Sequence, residues 1–253
     1  MRAVITDLKT TLSSSKFILA VIVCVVTLII ASANDLYVVF TSKEDIKHGI
    51  HGTIALSAIR SDLIVLILPV LCAIPYATRF VEDIKSHFVI QYLPRAGVKE
   101  YILGKIVVSI LSGGLVLLLG ILIYFGLLCI VVMPMETKLL YGEQEVSYIG
   151  NVISHALCYA CSGGFWALFG FTLGSISMNK YMCYASGFIG YYILIILKER
   201  YFREYHMFYP KEWLNPGSNF SFGMLGVFVI LVEICVLLGL IFAVYAKRRL
   251  ISE

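Results

Sequence analysis

Long apolar stretches separated by short polar connections dominate the chain. They run approximately over 17–33, 63–78, 106–133, 152–178, 181–197 and 222–246. A helix needs about 20 apolar residues to cross a hydrocarbon core of ~30 Å. The second stretch is short, but 54–59 can extend it backwards at the cost of Arg60 and Asp62 near one interface. The third and fourth are long enough to tilt or protrude. None alternates with a period of two, so the pattern predicts helices rather than barrel strands. The fold class expected is all-α integral membrane, with six transmembrane helices. Ahead of the first span, Val4, Ile5, Leu8 and Leu12 recur at helical spacing among charged residues, which predicts an amphipathic interfacial helix over 1–16. The triplet Ala31-Ser32-Ala33 resembles a signal-cleavage site, but that amphipathic start suits a retained segment better.

Composition agrees with this reading. Of 253 residues, 60% are hydrophobic and only 14% charged, with mean hydropathy +0.90. Soluble domains carry roughly 45–50% apolar and about 25% charged residues. That excludes a water-soluble enzyme, a nucleic-acid-binding domain and a disulfide-stapled secreted module. No repeat links the first three spans to the last three, so 1–253 reads as one transmembrane domain. With six spans both termini share a face. That face carries 12 Lys and Arg residues against 8 on the other, so the basic-residue rule predicts cytoplasmic termini. All seven cysteines fall inside spans. The pair Cys158 and Cys161 has redox or zinc spacing, but without a second pair it reads as packing.

The connection 79–105 is the most informative polar segment. Phe80, Ile84, Phe88 and Tyr92 recur every four residues and predict one helical face, with Glu82, Asp83, Lys85 and His87 largely off it. Pro94 ends this helix, Pro94–Gly97 makes a turn, and a second short helix leads into the third span, with Lys105 placed to snorkel. The segment reads as a helical hairpin pushed into the cytoplasm, or as a helix lying on lipid headgroups.

Phe80-Val-Glu-Asp-Ile-Lys-Ser86, Tyr92-Leu-Pro-Arg-Ala-Gly97 and Glu100-Tyr-Ile-Leu-Gly-Lys105 resemble the loop between spans two and three of type-2 ABC exporter permeases. Small bacterial members from Gram-positive lineages are nearest, and the likeness extends over the whole chain. One departure is His87, where relatives often carry glycine. The resemblance implies that this loop is a coupling helix docking on a separate ATP-binding subunit through Phe80, Glu82, Asp83, Ile84, Lys85, Phe88, Tyr92 and Arg95. It implies a second permease, the same or a related chain, and a place in the bacterial cytoplasmic membrane. The chain has no phosphate-binding loop of its own. No cofactor is therefore expected here, while ATP and Mg belong to the partner subunit. The cargo implied is amphipathic: a peptide or antimicrobial, a lipid or a drug.

Other features allow two readings each. Gly163, Ala167, Gly170 and Gly174 form a smooth face on the fourth span, for packing within the subunit or at a dimer seam. Glu233 is the sole acid well inside a span, so it faces a polar translocation cavity or bonds to a neighbour such as His155. The loop 198–221, rich in Tyr, Phe and Trp, reads as an outer aromatic belt. His48 and His51, with Asp45 nearby, make a weak metal motif or an ordinary solvated loop. The sequence lacks the motifs and paired groups of an intramembrane protease. An autonomous secondary transporter or channel is the alternative function, though one glutamate is thin support for it.

Overall fold

The computed structural model describes residues 2–41, 48–89, 93, 97–136, 148–202, 204, 209–215 and 223–252. The regular elements among them are helices: α1 (Arg2–Leu12), α2 (Ser15–Ala31), α3 (Ala33–Thr41), α4 (Ile50–Ile59), α5 (Asp62–Ala73), α6 (Arg79–Lys85), α7 (Val98–Val131), α8 (Tyr148–Ser177), α9 (Lys180–Arg200), α10 (Pro210–Leu214) and α11 (Gly223–Ser252). A single 3-10 turn, Met133–Met135, extends α7.

Four segments are long and apolar enough to cross a membrane alone: Val98–Met135, Tyr148–Ser177, Lys180–Arg200 and Gly223–Leu250. Two bent pairs raise the number of candidate spans to as many as six. They are Val4–Leu12 with Ser15–Ala31, bent by 55°, and Ile50–Ile59 with Asp62–Ala73, bent by 61°. The chain is thus an all-helical membrane protein with four to six candidate spans. The second bend falls at Arg60 and Ser61, where α4 and α5 do not merge into the continuous helix that a backward extension implies. A side chain that captures a carbonyl at a break helps hold the bend open. Here the Tyr159 hydroxyl of α8 donates to the Ile59 carbonyl.

α8 is the central helix, with 67% of its membrane window buried against 22% for α11. Its closest neighbour is α7, and glycine lets the two backbones meet. A Cβ on Gly113 would lie 2.3 Å from the Ala167 Cβ and 2.7 Å from the Gly163 carbonyl oxygen. In hydrocarbon, where water drives no association, such close packing is a main source of helix adhesion. The α8–α9 reversal is tight: Met178 adopts φ 51°, and the Asn179 side chain accepts from the Tyr181 N–H at 2.9 Å to start α9.

Two apolar cores stack along the bundle. At the α1 end, Phe80 packs edge-on to Phe242, with ring centres 5.2 Å apart, and Phe171 stacks on Tyr76 at 5.9 Å. At the far end, Trp213 of α10 lies across Phe165 at 5.3 Å and is buried beside Trp166. This corrects the belt reading for Trp213. Phe165 and Trp166 offer an aromatic cleft inside the bundle, so the indole plugs the core; Tyr201 and Phe202 do remain exposed. Tyr205, Phe208 and Phe220 of that loop lie outside the described residues.

Candidate functional site

The densest polar constellation lies where α1, α6 and α7 meet. Lys105, just ahead of the apolar run of α7, is buried rather than snorkelled. Its ammonium sits 2.8 Å from Asp83 Oδ2 and 3.1 Å from Asp7 Oδ2. Tyr101 donates to Asp83 Oδ2 at 3.0 Å, the Tyr76 hydroxyl donates to Asp7, and the two rings flank the ammonium at 5.3 Å each. Arg79 approaches Asp83 Oδ1 at 3.6 Å from one turn earlier. A buried ammonium stays charged only with partners such as these.

Glu82 faces the opposite way. Its Oε1 lies 3.3 Å from Lys16 at the start of α2 and 3.2 Å from Lys180 at the start of α9, and Thr78 donates to it at 3.1 Å. Partial burial alone would raise this carboxyl; the two ammonium groups and the hydroxyl outweigh it and hold Glu82 below the ordinary carboxylate range. One short helix is therefore tied by charge to α2, α7 and α9, through Lys105 to Asp7 of α1, and through Phe80 to α8 and α11. Beside it opens a cleft of about 380 Å³, lined by Asp7, Thr10, Arg79, Phe88, Glu100 and Lys105 among others.

This geometry redraws the predicted docking face. Among the described residues the helix is not continuous: α6 ends at Lys85, and a turn at Ser86 and His87 separates it from Phe88. Ser86 N–H closes on the Glu82 carbonyl, His87 N–H closes on the Ile84 carbonyl, and His87 itself is left-handed at φ 56°. That is a helix stop of the kind glycine favours. Phe80, Asp83 and Ile84 then point into the protein, because the apolar core and Lys105 claim them. Lys85, Ser86, His87 and Phe88 form the exposed tip, with Phe88 44% exposed. Tyr92 and Arg95 lie outside the described residues, as does Pro94.

The remaining sequence candidates are scattered. Gly163, Ala167, Gly170 and Gly174 pack inside the chain: the first two against Gly113, the last two against Cys183. Glu233 is exposed on the outward side of α11, and it makes no hydrogen bond or ion pair among the described residues. His155 does not reach it, since its Nε2 lies 3.2 Å from Arg60 Nη2. Cys158 and Cys161 are half-buried free thiols. Asp45 lies outside the described residues.

His48 and His51 turn to a residue that sequence reasoning passed over, Glu136, just past α7. Its carboxylate accepts from the Gly49 N–H at 2.9 Å and the His51 N–H at 2.8 Å. It also lies 2.7 Å from the His51 ring and 3.7 Å from that of His48. Burial works to raise this carboxyl, but the two backbone donors and the His51 ring prevail and lower it. Among the described residues, no group of three or more His, Cys, Asp or Glu side chains is arranged to hold a metal ion.

Asp7 and Lys105 were the other residues of consequence that patterning underrated. Each had a signal: Asp7 is the lone acid in a basic amphipathic segment, and Lys105 is the last charge before a long apolar run. No family model matches the chain, and neither a curated protein nor a solved structure matches it.

Proposed function

We propose that the chain is the membrane-spanning permease subunit of an ATP-driven ABC exporter that moves an amphipathic cargo, a peptide, lipid or drug, by alternating access. The observation that supports this most is the set of ties on α6. A helix of seven residues, Arg79–Lys85, makes ionic or aromatic contact with α2, α7, α8, α9 and α11, and reaches α1 through Lys105. Force applied at its exposed Lys85–Phe88 end would reach most of the bundle through rigid links. Breaking the buried Asp83–Lys105 pair leaves an uncompensated charge, so that link resists slipping.

In this reading α6 and its tip lie on the cytoplasmic side of the bacterial membrane and receive a separate ATPase subunit. ATP and Mg act on that partner, which closes and opens during hydrolysis. The tip moves with it, and the buried network carries the displacement into α1 and α7 together. Two permeases, of the same or a related chain, would enclose the path.

The direct test is purification of the tagged chain from its native membrane in mild detergent, with subunits and ratios read by mass spectrometry. The expected result is a stoichiometric partner bearing a phosphate-binding loop. A chain that purifies alone and moves a solute into liposomes without ATP would instead be an autonomous transporter.

A further inference from the structure

Glu233 poses a problem that the described residues of a single chain do not solve. It lies ten residues into α11, or ~15 Å along a helix rising 1.5 Å per residue, which is about the middle of a ~30 Å hydrocarbon core. It is exposed, and around it Leu225, Val229, Val232, Val236 and Leu240 are exposed too. Their offsets of four, three, four and four make a stripe along one side of the helix, of the kind that packs against another helix at a shallow angle. α11 shares with α7 the highest mean hydropathy of the candidate spans, 3.1, and is the least buried of them within the chain. Lipid tails can cover the valines and leucines. They offer nothing to a carboxyl group, and an unsatisfied polar group at this depth is costly.

We propose that this face of α11 seats the same helix of a second copy of the chain, with the two Glu233 side chains hydrogen-bonded to each other across a two-fold axis. An isologous contact brings each residue near its own counterpart. The group it brings to Glu233 is one that can answer it, since one carboxyl donates its O–H to the other. Cationic partners from other spans are few and engaged: Lys105 is buried on Asp7 and Asp83, and Arg60 and His155 face each other. The apolar stretches 17–33, 63–78, 106–133, 152–178 and 181–197 contain no Lys or Arg. Interhelical hydrogen bonds of this kind hold spans together where apolar contact alone gives no preference. The inference deepens the proposed pairing of two permeases and rests on it, but it is independent of the ATPase.

The test uses the full-length chain, purified alone and reconstituted at low protein-to-lipid ratio in a phosphatidylcholine–phosphatidylglycerol bilayer. Copies per particle are counted by single-molecule photobleaching. Dimers are expected. Glu233→Leu should weaken association roughly ten-fold, while Glu233→Gln, which keeps a donor and an acceptor, should stay within about three-fold of the parent. A photoreactive benzophenone side chain in place of Val236 should give a crosslinked dimer, and one in place of Ile18 on α2 should not. Dimers that crosslink from position 18 and ignore Glu233→Leu would overturn the α11 seam and leave the pairing of permeases standing. A population of monomers would overturn the α11 seam and any pairing of identical copies, leaving only a related chain as the second permease. Circular dichroism of each variant checks that the helices are intact, and Glu233→Gln tests the seam even if Glu233→Leu misfolds.

Discussion

The two ends of the bundle each bury a carboxylate and satisfy it by different means. At the α1 end, Asp83 and Asp7 meet one ammonium, Lys105, with tyrosine hydroxyls completing the shell. Three helices far apart in sequence supply the parts. At the far end, Glu136 is answered by the first N–H groups of α4 and by the ring of His51. Those donors come from one short stretch of chain, and α4 offers them because its N-terminus has unpaired N–H groups in any case. The first arrangement is a clasp between elements, whose geometry changes if any one of them moves. The second is a cap that locks one helix end to the end of α7. The clasp joins three elements, the cap two.

The largest effect should come from opening the clasp. Lys105→Met removes the cation shared by Asp83 and Asp7 and leaves only Arg79, 3.6 Å from Asp83, to answer them. It should lower stability by about 3–5 kcal/mol, read from reversible unfolding in detergent. Pairing it with Asp83→Leu should recover part of that loss, because the orphaned charge goes too. Equal losses in the single and double variants would mean that Lys105 and Asp83 are not coupled.

The cap should be less costly to remove. Glu136→Ala should cost roughly 1.5–3 kcal/mol, the range for hydrogen bonds to a charged group, and Glu136→Gln less, since the amide oxygen still accepts from the backbone. A loss from Glu136→Ala as large as that from Lys105→Met would erase the distinction between the two ends.

Acid should loosen both ends through their lowered carboxyls. Glu82 and Glu136 are held below the ordinary value of 4.5 in the folded chain. Their contribution is therefore complete above about pH 4.5 and is lost as pH falls below that, through the folded-state values. Thermal midpoints should fall over that acidic window in the parent and less in a Glu82→Gln, Glu136→Gln double variant. An unchanged slope would remove these two groups from the account.

The smallest effect concerns the stop at His87. A left-handed residue other than glycine costs about 1–2 kcal/mol, offset in part by the freedom glycine loses on folding. His87→Gly should thus raise stability by roughly 0.5–1 kcal/mol, measured by the same unfolding titration.

How much of this was legible in the sequence varies by element. The helices α7, α8, α9 and α11 follow directly from apolar runs, because length and hydropathy decide them without reference to partners. The amphipathic α1 was also visible in Val4, Ile5, Leu8 and Leu12. The end of α6 was not. A four-residue period through Phe80, Ile84, Phe88 and Tyr92 favours one continuous helix, and a histidine gives no local sign that it will turn left-handed. Asp83 and Lys105 were misread for a related reason. Single-helix patterning assigns charges to water, whereas here each is the other's solvent, from elements 22 residues apart in number. Glu136 escaped notice because its partners lie more than 80 residues away in sequence. Patterning did find Glu233 as the charge without a home; the fold adds that it is exposed and unpartnered among the described residues.

The central claim is that the exposed end of α6 receives an ATPase whose motion the clasp carries inward. The most direct measurement compares the parent with Phe88→Asp, both tagged, expressed in the native host and purified in mild detergent, with partner recovery and ATP hydrolysis read on the same samples. Phe88 lies outside the buried network, so insertion and yield should be unchanged. Recovery of the ATPase, or hydrolysis stimulated by the complex, should fall at least ten-fold, since a carboxylate at the centre of an apolar contact costs more than 1.4 kcal/mol. Normal recovery and normal hydrolysis in Phe88→Asp would contradict the assignment of α6 as the point of coupling.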